Sequence, residues 1–237
     1  GILSAIRAVT SPGDSVLMAR NCHRSVYHAL AINNLRPHFI YPRTNLRYQI
    51  AASTMPEDLE KAIASHQEAR VLILTCPTYE GVLSDLPVLI SIAHRHGLTV
   101  VVDEAHGAHL GFWPYFPKGA VEAGADIVIQ SLHKTLPSLT QTALAHVRTP
   151  ALAGEMQRQL SVFETTSPSF LLLASIDGCV RLLRDRGDEL FAAWQDVLEA
   201  FHDKALGLRH LRVMGYGRER GQKLENVFGL EPSKLYV

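Results

Sequence analysis

The chain has 237 residues, 47% of them hydrophobic, and its 23 Lys and Arg residues balance its 23 Asp and Glu residues. This length and composition predict one large domain with a buried core and exclude a disordered or fibrous protein. The two signs of charge are interspersed, so we expect a small molecule or a protein as the partner, and neither nucleic acid nor a membrane.

Cysteine usage and the apolar runs indicate the cellular setting. Cys22, Cys76 and Cys179 are odd in number and lie far apart, which favours a reducing, cytoplasmic environment. The apolar runs at 98–102 and 170–176 are shorter than the roughly 18 residues that a membrane-spanning helix needs. Because the sequence starts at a glycine and stops as a new apolar stretch begins, we expect both ends to be truncated.

From about residue 14, short β-rich apolar runs alternate with longer segments of helical period, which is typical of βα units around a parallel sheet. The pattern predicts a three-layer α/β/α fold with a mostly parallel central sheet. The expected domain division is 1–185 for a large domain and 186–237 for linking helices and the start of a small domain. The predicted strands are 15–19, 37–41, 70–75, 99–103, 126–130 and 141–147, and the predicted helices are 25–33, 58–66, 86–96, 151–163, 168–185 and 188–206.

Two helix boundaries carry specific signals. Thr54 and Glu57 have the spacing of a capping box, and Pro56 between them suits a first helical turn, which predicts a helix start here. Asp85 is expected to cap the helix over 86–96, and Gly97 is expected to end it in the left-handed conformation.

Asp103 and Lys134 each follow a predicted strand. The run 99–103 is apolar without alternation, so we expect its strand to be central and covered on both faces. The run 126–130 brings Lys134 to its own carboxyl end. Both side chains should therefore reach the edge of the sheet where open α/β folds bind ligands.

An amine and a carboxylate at neighbouring strand ends can serve one cofactor, pyridoxal phosphate. The lysine forms an imine with the aldehyde, and the acid keeps the ring nitrogen protonated. We expect the nearby cation to lower the pKa of Asp103 and keep it ionised. Taken singly, an aspartate after a strand is more often a turn or helix cap, and a lone lysine is a solvated surface charge.

Five segments resemble the bacterial Orn/Lys/Arg decarboxylases of the aspartate-aminotransferase fold group, and the run Ser-Leu-His-Lys-Thr-Leu-Pro over 131–137 is the strongest signal. The resemblance implies the large domain of a fold type I enzyme that uses pyridoxal 5'-phosphate to decarboxylate arginine, lysine or ornithine. It also implies a homodimer or a higher oligomer, a cytoplasmic location and a place in polyamine biosynthesis. The similar segments are 13–30, 76–86, 99–117, 124–147 and 165–177.

Position by position, the resemblance makes Lys134 the Schiff-base lysine and Asp103 the partner of the pyridine nitrogen. It implies that His23 stacks on one face of the ring and that Ala105 packs against the other. His106 is expected near the site without an assigned role.

The resemblance also implies that Ser131 and His133 bind the phosphate, and that Thr165 reaches the phosphate of a neighbouring subunit. On sequence alone, Thr165 could equally cap the helix after Pro168, and His23 could be an ordinary histidine near a helix start. Most of the family's phosphate loop and most of its small domain fall outside the sequence, so we expect the isolated chain to lack full activity.

Other functions stay open at this point. The same cofactor residues would serve an aminotransferase or another lyase, and a non-catalytic binding domain is a further alternative. The run DEAH at 103–106 also occurs in nucleic-acid-dependent ATPases, but the GxxxxGKS or GxxxxGKT phosphate loop of those enzymes is absent. His106 and His109, with His94 and His96 nearby, lack a convincing third ligand, so no metal site is predicted.

Overall fold

Strands and helices alternate along the chain, and the computed structural model describes residues 1–237. A short 3-10 turn at Gly217–Glu219 precedes the last strand. In chain order the elements are α1 (Ile2–Ala8), β1 (Ser15–Ala19), α2 (Arg24–Ile32), β2 (Arg36–Ile40), β3 (Thr44–Asn45), β4 (Ile50–Ala51), α3 (Pro56–Ser65), β5 (Val71–Thr75), β6 (Val82–Leu83), α4 (Leu86–Arg95), β7 (Thr99–Asp103), β8 (Ile127–Ser131), α5 (Leu132–Thr135), β9 (Ala143–Val147), α6 (Pro150–Phe163), α7 (Phe170–Ala205) and β10 (Gly229–Leu230).

Six strands form the central sheet in the order β2-β1-β5-β7-β8-β9. The first five are parallel, and β9 runs antiparallel to β8. This confirms the predicted mostly parallel α/β sheet and the interior position of the 99–103 strand. Two small antiparallel pairs, β3 with β4 and β6 with β10, lie outside it.

Helices cover both faces of the sheet. Helix α1 packs with α2 and α6, whereas α3 packs with α4, and both α1 and α4 contact β7. Val100, Val101 and Val102 are fully buried although successive side chains of a strand point to opposite faces. Burial on both faces explains why this strand reads as an unbroken apolar run.

The helix boundaries agree with the sequence patterns at one helix and differ at another. The Asp85 side chain accepts the N–H of Val88 at 3.3 Å, and Gly97 has φ +72°, which confirms both predicted ends of α4. The predicted capping box was wrong. Helix α3 is capped by Met55 without a side-chain hydrogen bond, so Thr54 lies one residue too early, and its N–H is bonded to Ser84 instead.

The predicted helices over 168–185 and 188–206 form one element, α7, with a kink at Arg186, where φ is −139°. The domain division at residues 185 and 186 coincides with this kink and stays a prediction. None of the chain's helices combines the length and the apolar character that crossing a bilayer requires.

The C-terminal segment returns to the large domain. Strand β10 pairs with β6, and the N–H of Glu231 donates to the carbonyl of Gly81 at 2.8 Å. The Glu231 carboxylate also lies 2.9 Å from His109 Nε2, with both side chains fully buried. These contacts fix the residues after Glu231 beside the loop that follows β7.

Candidate active site

The ends of β7 and β8 bring Asp103 and Lys134 into the same cavity. The two strands are parallel neighbours in which Asp103 pairs with Ile129. Helix α5 starts directly after β8 and carries Lys134, and Leu132 and Leu136 anchor it in an apolar cluster with residues of α7. The cavity at this edge has a volume of about 620 Å³.

Six of the predicted site residues line this cavity. It also includes four polar residues that were not predicted from the sequence, Asn21, Ser25, Thr75 and Tyr79. Thr75 ends β5 and pairs with Asp103 across the sheet, so its position at a strand end is the signal that could have identified it. The six predicted residues that the structure places together are His23, Asp103, Ala105, His106, Ser131 and Lys134.

The structure places two predicted residues outside the cavity lining. His133 lies next to Lys134, but its Nδ1 is 2.9 Å from the carbonyl oxygen of Thr142 and donates to it. Thr165 lies in the exposed segment between α6 and α7, where its hydroxyl accepts the N–H of Ser167 at 3.1 Å. Because Ser169 caps α7, the alternative that Thr165 caps this helix was wrong.

Asp103 is 3% exposed, and its Oδ1 accepts the N–H of Ala105 at 3.2 Å. Burial raises the pKa of Asp103, and the Ala105 N–H, Lys134 and His23 lower it by less. The expected lowering concerns Asp103 beside the cofactor's cation and stays a prediction; in the chain without a bound cofactor, burial outweighs the charge of Lys134. The physical reason is that Lys134 is exposed, so water screens its charge, whereas Asp103 has lost most of its own solvation.

His106 connects the site lysine to a second lysine. Its Nε2 lies 3.1 Å from Lys134 Nζ, and its Nδ1 lies 2.9 Å from Lys234 Nζ. Burial, followed by the charges of Lys234 and Lys134, lowers the pKa of His106 to about 4. The imidazole is therefore neutral at neutral pH.

His23 serves as the N-cap of α2. Its Nδ1 accepts the N–H of Ser25 at 3.2 Å, which fixes the ring at the start of the helix while the residue also lines the cavity. The ordinary cap role and a position at the site are thus both present. The two roles, which are alternatives on sequence alone, therefore do not exclude each other.

Three of the four histidines considered for zinc have other partners. His109 is buried against Glu231, and His94 Nε2 lies 2.8 Å from Asp126. Both ring nitrogens of His106 face lysine amines. These contacts give no support to a metal on the pair His106 and His109.

Gly107 leaves no room for a side chain behind the site. A Cβ here would lie 2.6 Å from Glu104 Cγ, 2.8 Å from Leu110 Cδ1 and 2.9 Å from Pro77 Cδ. We expect Gly107→Ala to lower the free energy of unfolding by about 1 to 3 kcal/mol, the usual cost of overpacking. Urea denaturation measures this free energy, with Gly178→Ala as the control. That variant adds a Cβ to an exposed position in α7 with nothing within 4 Å. Equal stability of the two variants would contradict the expected crowding.

A family model for the major domain of Orn/Lys/Arg decarboxylases matches residues 1–211. The chain belongs to this family. It is 37% identical over 237 residues to an arginine decarboxylase of Bacillus subtilis (strain 168), covering 100% of the chain and 48% of that protein. With an arginine decarboxylase of Bacillus cereus the identity is 32% over 237 residues, covering 100% of the chain and 51% of the relative. The chain thus spans about half the length of these relatives.

Solved structures confirm the fold of this family member. The constitutive lysine decarboxylase of Escherichia coli superposes with a TM-score of 0.77 at 20% identity, covering 99% of the chain and 38% of that structure. Cystalysin from Treponema denticola, which contains a pyridoxal 5'-phosphate cofactor, superposes with a TM-score of 0.63 at 17% identity, covering 86% of the chain and 51% of that structure. The likeness shows a shared large-domain fold.

Proposed function

We propose that the chain is the cofactor-binding core of a pyridoxal-phosphate-dependent decarboxylase of a basic amino acid, with arginine, lysine and ornithine as the candidate substrates. The observation that carries the proposal is that Lys134 and Asp103 line one cavity at the carboxyl edge of the sheet. Membership of the Orn/Lys/Arg decarboxylase family supports the reaction. The relatives named as arginine and as lysine decarboxylases support the substrate class without choosing within it.

The cavity residues fit pyridoxal phosphate. The volume of about 620 Å³ lies within the roughly 300 to 1,000 Å³ that is usual for cofactor sites. The exposed amine of Lys134 suits the cofactor's aldehyde, and the buried carboxylate of Asp103 suits its ring nitrogen. Asn21 Oδ1 is buried in the lining without a hydrogen-bond partner within the chain, as expected of an acceptor that a ligand satisfies.

Each residue has a separate task in this proposal. Lys134 binds the aldehyde, and Asp103, oriented by the Ala105 N–H, supports the protonated ring nitrogen. The bound cofactor supplies an electron-accepting ring that takes up the electrons left when carbon dioxide departs. His23 and Ala105 hold the cofactor ring by packing against its two faces. The phosphate is bound by Ser131, His133 and the neighbouring subunit's copy of Thr165.

The role of Thr165 requires an assembly of two subunits, and we propose a cytoplasmic homodimer or a higher oligomer of the full-length protein. Phe170 and Leu171, at the start of α7 and close to Thr165, are 82% and 70% exposed. Apolar side chains grouped in this way favour coverage by another subunit. The place in polyamine biosynthesis follows from the proposed substrates.

Covalent labelling tests the cofactor site. The chain is incubated with pyridoxal phosphate, reduced with borohydride and digested, and mass spectrometry is expected to find the label on Lys134. A label confined to other lysines, or none at saturating cofactor, would refute the proposal. Product analysis of the full-length protein with arginine, lysine and ornithine then identifies the substrate, and transfer of the amino group in place of carbon dioxide release would indicate an aminotransferase.

A further inference from the structure

Three side chains with metal-binding atoms meet at the edge of the central sheet. His38 lies on β2, which has a neighbouring strand on one side only. His66 is the C-cap of α3, and Glu68 follows it in the turn that leads to β5. We call His38, His66 and Glu68 the edge cluster. One ligand atom of each residue lies within 4.8 Å of those of the other two.

The backbone fixes the positions of the three residues. Helix α3 ends at His66, whose N–H donates to the carbonyl of Ala62 at 3.0 Å, and the carbonyl of His66 accepts the N–H of Ala69 at 3.0 Å. The turn formed in this way contains Glu68. Because α3 contacts β2, the ring of His66 stacks on that of His38, with the ring centres 3.8 Å apart and the planes inclined by 19°. Helix end, turn and edge strand thus bring two imidazoles and one carboxylate together.

Two of the three separations are close to those that one ion requires. Glu68 Oε1 lies 3.1 Å from His38 Nε2 and 3.8 Å from His66 Nδ1. Zinc binds nitrogen and oxygen at about 2.0 to 2.2 Å, so two ligand atoms at the tetrahedral angle are about 3.4 Å apart. The stacked rings must turn toward each other for both nitrogens to point at one ion. The side chains of His66 and Glu68 are 37% and 52% exposed, which leaves room for this rotation about soft torsions.

The Nε2 atom of His38 points to a ligand. This nitrogen is buried, and Glu68 Oε1, although 3.1 Å away, lies out of line for a hydrogen bond, so the nitrogen has no hydrogen-bond partner within the chain. A buried polar atom in this state costs free energy unless a water or an ion satisfies it. Since the adjacent ligand atoms are a second imidazole nitrogen and a carboxylate oxygen, a metal cation satisfies all three.

We propose that the edge cluster binds Zn²⁺ or a chemically similar divalent transition metal, which cross-links β2 to the turn after α3. Two imidazoles and one carboxylate are a donor set that Zn²⁺ uses in proteins, with water in the fourth position. Mg²⁺ and Ca²⁺ prefer oxygen ligands, so this set does not select them. The site goes beyond the proposed function, because none of its residues lines the cavity that contains Lys134.

The charges around the edge cluster nearly balance. Glu68 contributes one negative charge, and the positive charge of Arg36 acts on both His38 and Glu68. The Arg36 side chain is held by a 2.9 Å hydrogen bond from its Nε to the carbonyl of Gly13. Because Arg36 repels a cation, the affinity depends on the coordinate bonds themselves. Removal of any one ligand should therefore weaken binding.

Zinc titration of the untagged 237-residue chain without cofactor tests the site. Competition with a chromophoric chelator gives the stoichiometry and Kd, and we expect one ion per chain. At a free Zn²⁺ concentration of about one hundred times Kd, Tm should rise by about 5 to 10 °C. The same concentration of Mg²⁺ should leave Tm unchanged. Co²⁺ in place of zinc should give the visible absorption band of a tetrahedral ion, which a change in stability alone does not produce.

Three variants locate the ion. His66→Gln and Glu68→Gln each remove one ligand, and His28→Gln removes an exposed histidine of α2 outside the edge cluster as the control. Loss of a residue that only supports a ligand weakens metal binding about 10- to 100-fold, so each ligand variant should bind zinc at least about tenfold more weakly. His28→Gln should bind as the wild type does.

Thermal unfolding without metal checks that each variant is folded, and the exposed position of Glu68 keeps at least that variant usable. Equal zinc affinity of the wild type and both ligand variants would mean that the ion binds elsewhere and would overturn the inference. A Kd above about 1 mM, or an equal response to Mg²⁺, would overturn it as well.

Discussion

Lys134→Ala is expected to abolish covalent labelling by pyridoxal phosphate and to slow decarboxylation by the full-length protein at least about a hundredfold. Among the residues lining the cavity, Lys134 is the only one with a side-chain amine that could bind an aldehyde. The lower bound is set by the roughly 10²- to 10⁴-fold contribution of a single side chain that moves a proton. The labelling assay and a carbon dioxide release assay measure the two effects separately.

Lys61→Ala is the matched control for this prediction. Lys61 lies on α3 with a side chain that is 76% exposed, and its nearest acidic partner is Asp58 at 3.6 Å. Its loss should leave both labelling and turnover unchanged. Full labelling in Lys134→Ala would mean that another lysine binds the cofactor, and full turnover would remove Lys134 from the reaction.

The central site could be predicted from the sequence because its positions follow from strand ends. Buried parallel strands are unbroken apolar runs, so the ends of β7 and β8 could be located in the sequence. Asp103 and Lys134 follow from those two positions. The direction of β9 could not be predicted in this way, because an antiparallel strand has the same local composition as a parallel one. The capping box at Thr54 failed because a pattern match does not fix where the helical dihedral angles begin.

Two features of the site depend on tertiary structure. Lys234 comes from a segment without a periodic signal, and only the pairing of β10 with β6 brings it to His106. The pKa of Asp103 depends on the balance between its own burial and the exposure of Lys134. The sequence predicts the buried strand and identifies the neighbouring charge but does not give the exposure of that charge, so it could not give the net shift of the Asp103 pKa.

Glu104 lies next to Asp103 in sequence and is expected to make the stability of the chain depend on pH. It is fully buried, and its carboxyl accepts the N–H of Ala120 at 2.6 Å and the Nε2 hydrogen of Gln130 at 2.7 Å. Burial raises the pKa of Glu104 from 4.5 to about 7, because two hydrogen bonds do not replace the water that a carboxylate loses.

The direction in which stability changes with pH follows from proton binding. Between pH 4.5 and about 7 the folded chain keeps the proton on Glu104, whereas the unfolded chain loses it. Stability therefore falls as pH rises through this window, by about 3 kcal/mol in total. His106 acts in the opposite direction, since its pKa is lowered from 6.5 to about 4. The wild-type stability alone therefore does not isolate the contribution of Glu104.

The variant Glu104→Gln isolates the contribution of Glu104, because glutamine has nearly the same shape as glutamate and does not titrate. A rotated Gln130 amide can accept from the new side chain, and His146, whose Nε2 lies 2.9 Å from Gln130 Oε1, can take the other tautomer. Urea denaturation at a series of pH values should show the wild type losing about 3 kcal/mol relative to Glu104→Gln between pH 4.5 and about 7. A difference that stays constant with pH would mean that Glu104 ionises as readily in the folded chain as in the unfolded one, and that its two hydrogen bonds fully replace the lost water.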